Sequence, residues 1–230
     1  MKYLIVIFIL FAPVVKGQIF TSYTSAAPVG PCAGETTVVY SDVTYDIVAI
    51  GTQCWFADNL NVGEYQRSSV TQSDNSAIEK YCYEDDEGNC STYGGLYQWE
   101  EAVNYENPDF WDKAQGICPT GWHIPNIDEM AVLDNYLSGD MGDLKESGTT
   151  HWYTPNTGAT NSTGFTFLPA GYFSDEDVTF YGLACRGEFW TSTVNAPSRI
   201  RTVFAVYDNA AFGYSAQTYT WAVSIRCLKD

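Results

Sequence analysis

The first pairing that could do chemistry is a histidine close behind a cysteine, in the run Gly116-Ile117-Cys118-Pro119-Thr120-Gly121-Trp122-His123-Ile124-Pro125. An imidazole beside a thiol can generate a thiolate nucleophile. No further member of a catalytic constellation stands out beside it, and two Pro and two Gly read as a fixed turn path into a helix. His123 is therefore expected to be structural, its ring hydrogen-bonded inside the domain. A second grouping is the acidic run Glu84-Asp85-Asp86-Glu87-Gly88-Asn89. Closely spaced oxygen ligands suit calcium, with Asp85, Asp86, Glu87 and Asn89 as the candidate set. The run lacks the distal Glu of an EF-hand, and the competing reading is a solvated acidic turn. Asn107-Pro108-Asp109 is a fainter calcium candidate. The third grouping is aromatic: Trp152, Tyr153, Tyr172, Tyr181, Tyr207, Phe212, Tyr214 and Tyr219 lie in or beside polar stretches. Aromatic faces stack on sugar rings and peptides while tolerating water. Trp152, Tyr153 and Tyr214 are the candidate ligand-binding residues, whereas Trp55, Trp99, Trp122, Trp190 and Trp221 are expected in the core.

No GxSxG, P-loop, HExxH or dinucleotide fingerprint occurs. The formal net charge is −17 over 230 residues. Such a surface repels nucleic acid and anionic lipid, and favours solubility, cations and neutral ligands such as sugars.

The chain opens like a secretory signal: Lys2, an apolar run from Leu4 to Val15, and small Gly17 at the cut. The run is too short to span a membrane, which takes roughly 20 residues. Residues 1–17 are expected to be a signal peptide and 18–34 a small, polar leader segment, followed by one domain over 35–230. Without Lys2 and Lys16, nine basic residues face 28 acidic ones, a balance of −19. The protein is thus expected outside the cell or at its surface, without membrane insertion. There the seven cysteines should form disulfides, and an odd count leaves at least one thiol unpaired within the chain.

The elements that must position these residues follow from periodicity. Thr36–Tyr40, Tyr45–Ile50 and Gln53–Phe56 read as strands, with Ser41-Asp42 as a turn, and Glu79–Tyr83 as another strand. Tyr97–Tyr105 reads as a helix. A second helix starts after Pro125, with Asn126 as cap and Glu129 completing a capping box. Its stripe of Ile127, Met130, Leu133, Tyr136 and Leu137 recurs at helical spacing, and Gly139 ends it. Strands are then expected at Phe165–Leu168, Glu188–Thr193, Thr202–Tyr207 and Thr220–Leu228, the last alternating Trp221, Val223, Ile225 against Ala222, Ser224, Arg226. Helices early and strands late predict an α+β fold, two helices with an antiparallel sheet.

Several blocks, in order, resemble the Fibrobacter succinogenes major paralogous domain. They are Tyr45–Leu60 (YDIVAIGTQCWFADNL), Cys82–Trp99 (CYEDDEGNCSTYGGLYQW), GICPTGWHIP, Gly164–Tyr172 (GFTFLPAGY), Phe189–Thr193 (FWTST) and Ser224–Cys227 (SIRC). That family is extracellular and bacterial. The resemblance implies a disulfide-stapled, C-type-lectin-like fold similar to the formylglycine-generating enzymes, with no established activity. It also implies three bridges, Cys32–Cys54, Cys82–Cys90 and Cys118–Cys227, leaving Cys185 over.

Together these readings predict a secreted, non-catalytic binding or adhesion module. Loops at 63–78, 140–162 and 208–219 would be presented to an extracellular glycan or surface protein. The alternative is a self-associating subunit of a cell-surface layer or filament. A formylglycine-generating-type enzyme ranks last, because that chemistry needs reactive thiols or copper and only Cys185 would be free.

Overall fold

The computed structural model describes residues 30–106 and 113–230. Ser41 and Asp42 both take positive φ, 48° and 62°, as a tight hairpin turn requires. They join β1 (Thr37–Tyr40) to β2 (Val43–Ile50), and β2 turns into β3 (Gln53–Phe56). These three form an antiparallel meander extended by Leu228–Lys229 and then Trp122–His123 into a five-stranded sheet. Among the described residues, the middle of the chain carries three α-helices: α1 (Glu87–Tyr93), α2 (Trp99–Ala102) and α3 (Ile127–Tyr136). After them, β4 (Ala170–Ser174) and β5 (Thr179–Leu183) pair with Ala222–Val223 and Tyr97–Gln98 in a four-stranded sheet. β6 (Arg186–Ala196), β7 (Arg199–Val206) and β8 (Gly213–Thr218) form a three-stranded antiparallel meander.

The closing segment joins these three sheets. Ala222 pairs with Gln98 and Phe173, Ser224 bridges Phe189 of β6, and Leu228 pairs with Trp55 and His123. Every residue from Ala222 to Leu228 is buried. The expectation of one alternating strand over Thr220–Leu228 is thus corrected. A spine between three sheets has no solvent face, so Arg226 is buried as completely as Ile225.

Strand makes up 37% and helix 14%, so the expected α+β, C-type-lectin-like fold with two helices is overturned in favour of curled antiparallel sheets. The physical reason lies at Tyr97–Tyr105. Backbone pairing of Tyr97 and Gln98 with Val223 and Ala222 claims the start of the expected helix for a sheet. Positive φ at Asn104 and Tyr105 stops it, leaving four residues helical. The segment expected as strand Phe165–Leu168 contributes only a bridge between Phe167 and Lys145, and the strand begins at Ala170. The expected loop 208–219 contains β8, and the expected acidic loop contains α1.

α3 forms where its local signals place it. Asn126 accepts from the Glu129 N–H, and the Glu129 carboxylate accepts from the Asn126 N–H, both at 2.9 Å. Met130 and Leu133 are fully buried, whereas Tyr136, expected in the same stripe, is 61% exposed. All three implied disulfides are present, Cys32–Cys54, Cys82–Cys90 and Cys118–Cys227, and Cys185 is unpaired. Trp55, Trp99, Trp122 and Trp190 are buried, as expected for the core. The signal and leader residues 1–29 and Asn107-Pro108-Asp109 lie outside the described residues. No helix among the described residues is long and apolar enough to cross a membrane.

Candidate functional site

The chain leaves β3 through Ala57-Asp58-Asn59-Leu60-Asn61, a turn that must be satisfied from outside itself because it belongs to no ladder. Asn59 does most of this. Its Oδ1 accepts from Arg226 Nε at 2.6 Å, and its Nδ2 donates to the Tyr93 carbonyl at 2.7 Å. Asp58 Oδ2 accepts from the Asp46 N–H at 2.8 Å, and the Tyr45 hydroxyl accepts from the Asn61 N–H at 3.1 Å. Lys80 Nζ donates to the Asn61 carbonyl and to Asn61 Oδ1, at 3.1 and 2.8 Å. The C-terminus of α1 packs directly on this turn. A Cβ at Gly94 would come within 2.6 Å of Asn59 Cβ, so only glycine fits there, at a φ of +82°.

Between them lies a cleft of about 220 Å³, open to solvent. Thr44, Tyr45, Asp58, Asn61, Thr92 and Tyr93 supply most of its chemistry, and Thr166 closes the opposite wall. Tyr45 is stacked on Phe56 at 5.0 Å, and burial pushes its phenol up to about 12, so it stays a neutral hydroxyl. Tyr93 is held edge-on to His151 at 5.5 Å, and His151 Nδ1 contacts Glu146 at 2.8 Å. Burial first, then the Glu146 charge, raises the Tyr93 phenol as well. The cleft therefore offers one carboxylate, an amide, hydroxyls and aromatic edges. Such a set can hydrogen-bond polar ligands.

The chain's best candidate for catalysis is arranged for architecture. His123 is 2% exposed. Its Nδ1 contacts Asp230 Oδ1 at 2.6 Å and its Nε2 contacts the Glu129 carboxylate at 3.0 Å. Lys113 adds an ion pair to Glu129 at 3.1 Å. Burial opposes the Glu129 charge, but hydrogen bonds from His123 and the Asn126 N–H outweigh it, and the Glu129 carboxyl lies below its ordinary value. The neighbouring sulfur, Cys118, is bonded to Cys227. His123 thus ties the end of the chain to the cap of α3.

The other candidate residues scatter. Trp152 was expected at the surface; it is 2% exposed, donates from Nε1 to the Phe167 carbonyl at 3.0 Å, and lies beneath Lys145 Nζ at 5.2 Å. A ligand cannot stack on it. Tyr153 is 58% exposed, edge-on to Tyr207 at 6.1 Å. Tyr214 is 38% exposed and donates to Asp134 Oδ2 at 2.9 Å, on β8 beside α3. In the acidic run, Asp85 accepts from the Ser68 N–H and hydroxyl at 2.8 and 3.0 Å. Asp86 caps α1 through the Gly88 N–H, and Asn89 Nδ2 donates to the Tyr83 carbonyl. Glu87 stands exposed in the first turn of α1. Among the described residues no three His, Cys, Asp or Glu side chains gather to hold a metal ion, so the calcium set is not brought together.

Most of the residues that line the cleft, Asp58 and Tyr93 among them, fall within the stretch that a family model matches, while Thr44 and Tyr45 precede it. The Fibrobacter succinogenes major domain model matches residues 48–229. The chain belongs to this family. No curated protein and no solved structure matches it. The family's blocks make physical sense around Arg226. The guanidinium donates to Asn59 Oδ1, to the Phe56 and Phe165 carbonyls and to the Thr166 carbonyl, joining the closing block to two others that are far apart in the chain. Sequence reasoning missed both Arg226 and the cleft. The one available signal was the proximity of Asp58 and Asn59 to a strand end, and the partner Tyr93 stands 34 residues from Asn59.

Proposed function

We propose that this member of the family is a secreted, non-catalytic binding module whose Tyr45–Asp58–Tyr93 cleft takes a neutral glycan. The observation that carries the reading is that the cleft's donors and acceptors are held by the fold itself. Asn61 and Asp58 are each fixed by a backbone or side-chain partner, and Asn59 ties the turn behind them to Arg226 and Tyr93. A pre-organised site loses little entropy on binding, which suits weakly binding sugars. The net charge of −17 disfavours anionic glycans. Three disulfides are compatible with an extracellular setting.

A glycan array run with calcium and with a chelator tests this, comparing wild type with Asp58→Asn. The substitution keeps an acceptor for the Asp46 N–H and removes the charge facing the cleft. Binding of neutral glycans weakened by Asp58→Asn supports the reading; no glycan bound, or binding indifferent to the substitution, rejects it.

Self-association is the competing reading, and Cys185 favours it as the thiol left unpaired. Burial raises that thiol above its ordinary value, which lowers the thiolate fraction and works against disulfide-linked dimers. A non-reducing gel of the exported protein separates the two.

A further inference from the structure

β2 borders two clefts. Thr44 and Tyr45 near its start line the cleft just described. Ala49 and Ile50 at its end line a second, of about 500 Å³, walled by Tyr136, Asp143, Ser162 and Thr163. The opposite wall is shared in the same way. Thr166 and Leu168 belong to the first cleft, Ser162 and Thr163 to the second. The 162–168 segment therefore runs alongside β2 in the opposite direction. Between the clefts the two walls approach at Gly164 and Val48: a Cβ on Gly164 would lie 3.7 Å from Val48 Cγ2. The ridge carries a side chain on one wall only, because residue 164 is glycine at a φ of +74°.

The clefts repeat one chemistry. Each holds a carboxylate, Asp58 or Asp143, each has threonine or serine hydroxyls, and each has tyrosine at its edge. Tyr136 is 61% exposed, yet its ring is seated on Gly51, where a Cβ would stand 2.8 Å from Tyr136 Cδ2. The shared wall is held by hydrogen bonds at both ends. Asn161 Nδ2 donates to Thr166 Oγ1 at 3.0 Å, the Thr166 N–H donates back to Asn161 Oδ1 at 2.8 Å, and Arg226 holds the Thr166 carbonyl at 2.9 Å. Thr163 Oγ1 donates to the Asp143 carbonyl at 2.9 Å, pinning the far end.

Resting on the glycan reading above, we infer that the two clefts are subsites of one groove that takes a linear polysaccharide of neutral units. Like chemistry repeated along a straight strand matches a ligand that itself repeats. From Thr44 to Ile50 a strand rises about 20 Å, the length of several linked sugar rings. Covalent linkage between units then makes occupancy of the second cleft follow that of the first at high effective concentration.

Titration calorimetry of the full chain with gluco-, manno- and xylo-oligosaccharides, graded in length from the monosaccharide to the hexasaccharide, tests this. Affinity should rise at least about tenfold once a chain spans both clefts, and then level off. Tyr136→Ala should abolish that gain, so that the longest chains bind no tighter than the shortest. Gly164→Asn, a residue that tolerates positive φ, should do the same by raising the ridge. A thermal melt verifies the fold of each variant, and the exposed Tyr136 keeps the test open should Gly164→Asn unfold. Affinity independent of length, or a length gain that survives Tyr136→Ala, overturns the groove and leaves a single cleft. Wild-type protein that binds none of these sugars at any length overturns the groove and the glycan reading together.

Discussion

Arg226→Met removes the one group that the turn after β3, the Phe165–Thr166 segment and the closing spine share. The guanidinium is fully buried and makes four hydrogen bonds, from 2.6 to 3.3 Å, all to neutral oxygens. Its carbon also sits 4.4 Å from the Phe165 ring centre. Methionine fills the volume but donates nothing, so three carbonyls and the Asn59 amide oxygen lose a partner. Each orphaned buried acceptor costs about 1–3 kcal/mol, less where backbone relaxes or water enters. Against this, the substitution removes the desolvation cost of an unpaired buried charge, which is several kcal/mol. The two terms leave a net loss of about 3–5 kcal/mol, a large share of the roughly 5–15 kcal/mol that holds a domain together. Urea unfolding followed by tryptophan fluorescence reads this directly. With a slope of about 2–3 kcal/mol/M, the midpoint should fall by about 1–2 M. Arg226→Lys should recover only part of the loss, since an ammonium lacks the planar fork that reaches separate carbonyls. A midpoint for Arg226→Met within about 0.3 M of wild type would refute the claim that this side chain organises the family's blocks.

Further outcomes follow from burial and cross-linking. Trp152→Ala should destabilise by about 3–5 kcal/mol because the ring is enclosed, while Tyr153→Ala next to it should stay within about 0.5 kcal/mol, both read by thermal or urea unfolding. Removing Cys118–Cys227 by a double alanine substitution should cost about 4–5 kcal/mol, against about 2–3 for Cys82–Cys90, since the first spans 109 residues and the second 8. Paired melts under non-reducing conditions measure the difference. Lys145 is fully buried against the Thr157, Val206 and Asn209 carbonyls, and burial lowers its amine from 10.5 to about 8. Between those values the unfolded chain holds the proton and the native one does not, so this residue's contribution makes stability rise as pH increases from about 8 toward 10.5. Melting temperatures of wild type compared with Lys145→Met across that range should diverge, with the wild type gaining relative to the variant; parallel curves count against the assignment.

Much of the local structure was legible because its causes are local. Ser41-Asp42 turns, Asn126 and Glu129 close a capping box, and β2 and β3 follow from β-rich runs, since each depends on neighbours within a few residues. The three disulfide pairings came through family resemblance, not through spacing. The misread elements share one cause. Tyr97–Gln98 joins a strand more than 120 residues away in sequence, and Trp152 is covered by Lys145 and the Phe167 segment.

The sequence by itself determined an acidic chain, the caps and turns, and membership of a family through its ordered blocks. Tertiary structure alone decided that the turn after β3 and the Phe165–Thr166 segment converge on Arg226, that Trp152 is core while Tyr136 is surface, and that β2 and the 162–168 segment flank two like clefts. The physical reason is range. Turn and cap preferences act through hydrogen bonds within a few residues, whereas a cleft is a relation between segments that only packing brings together.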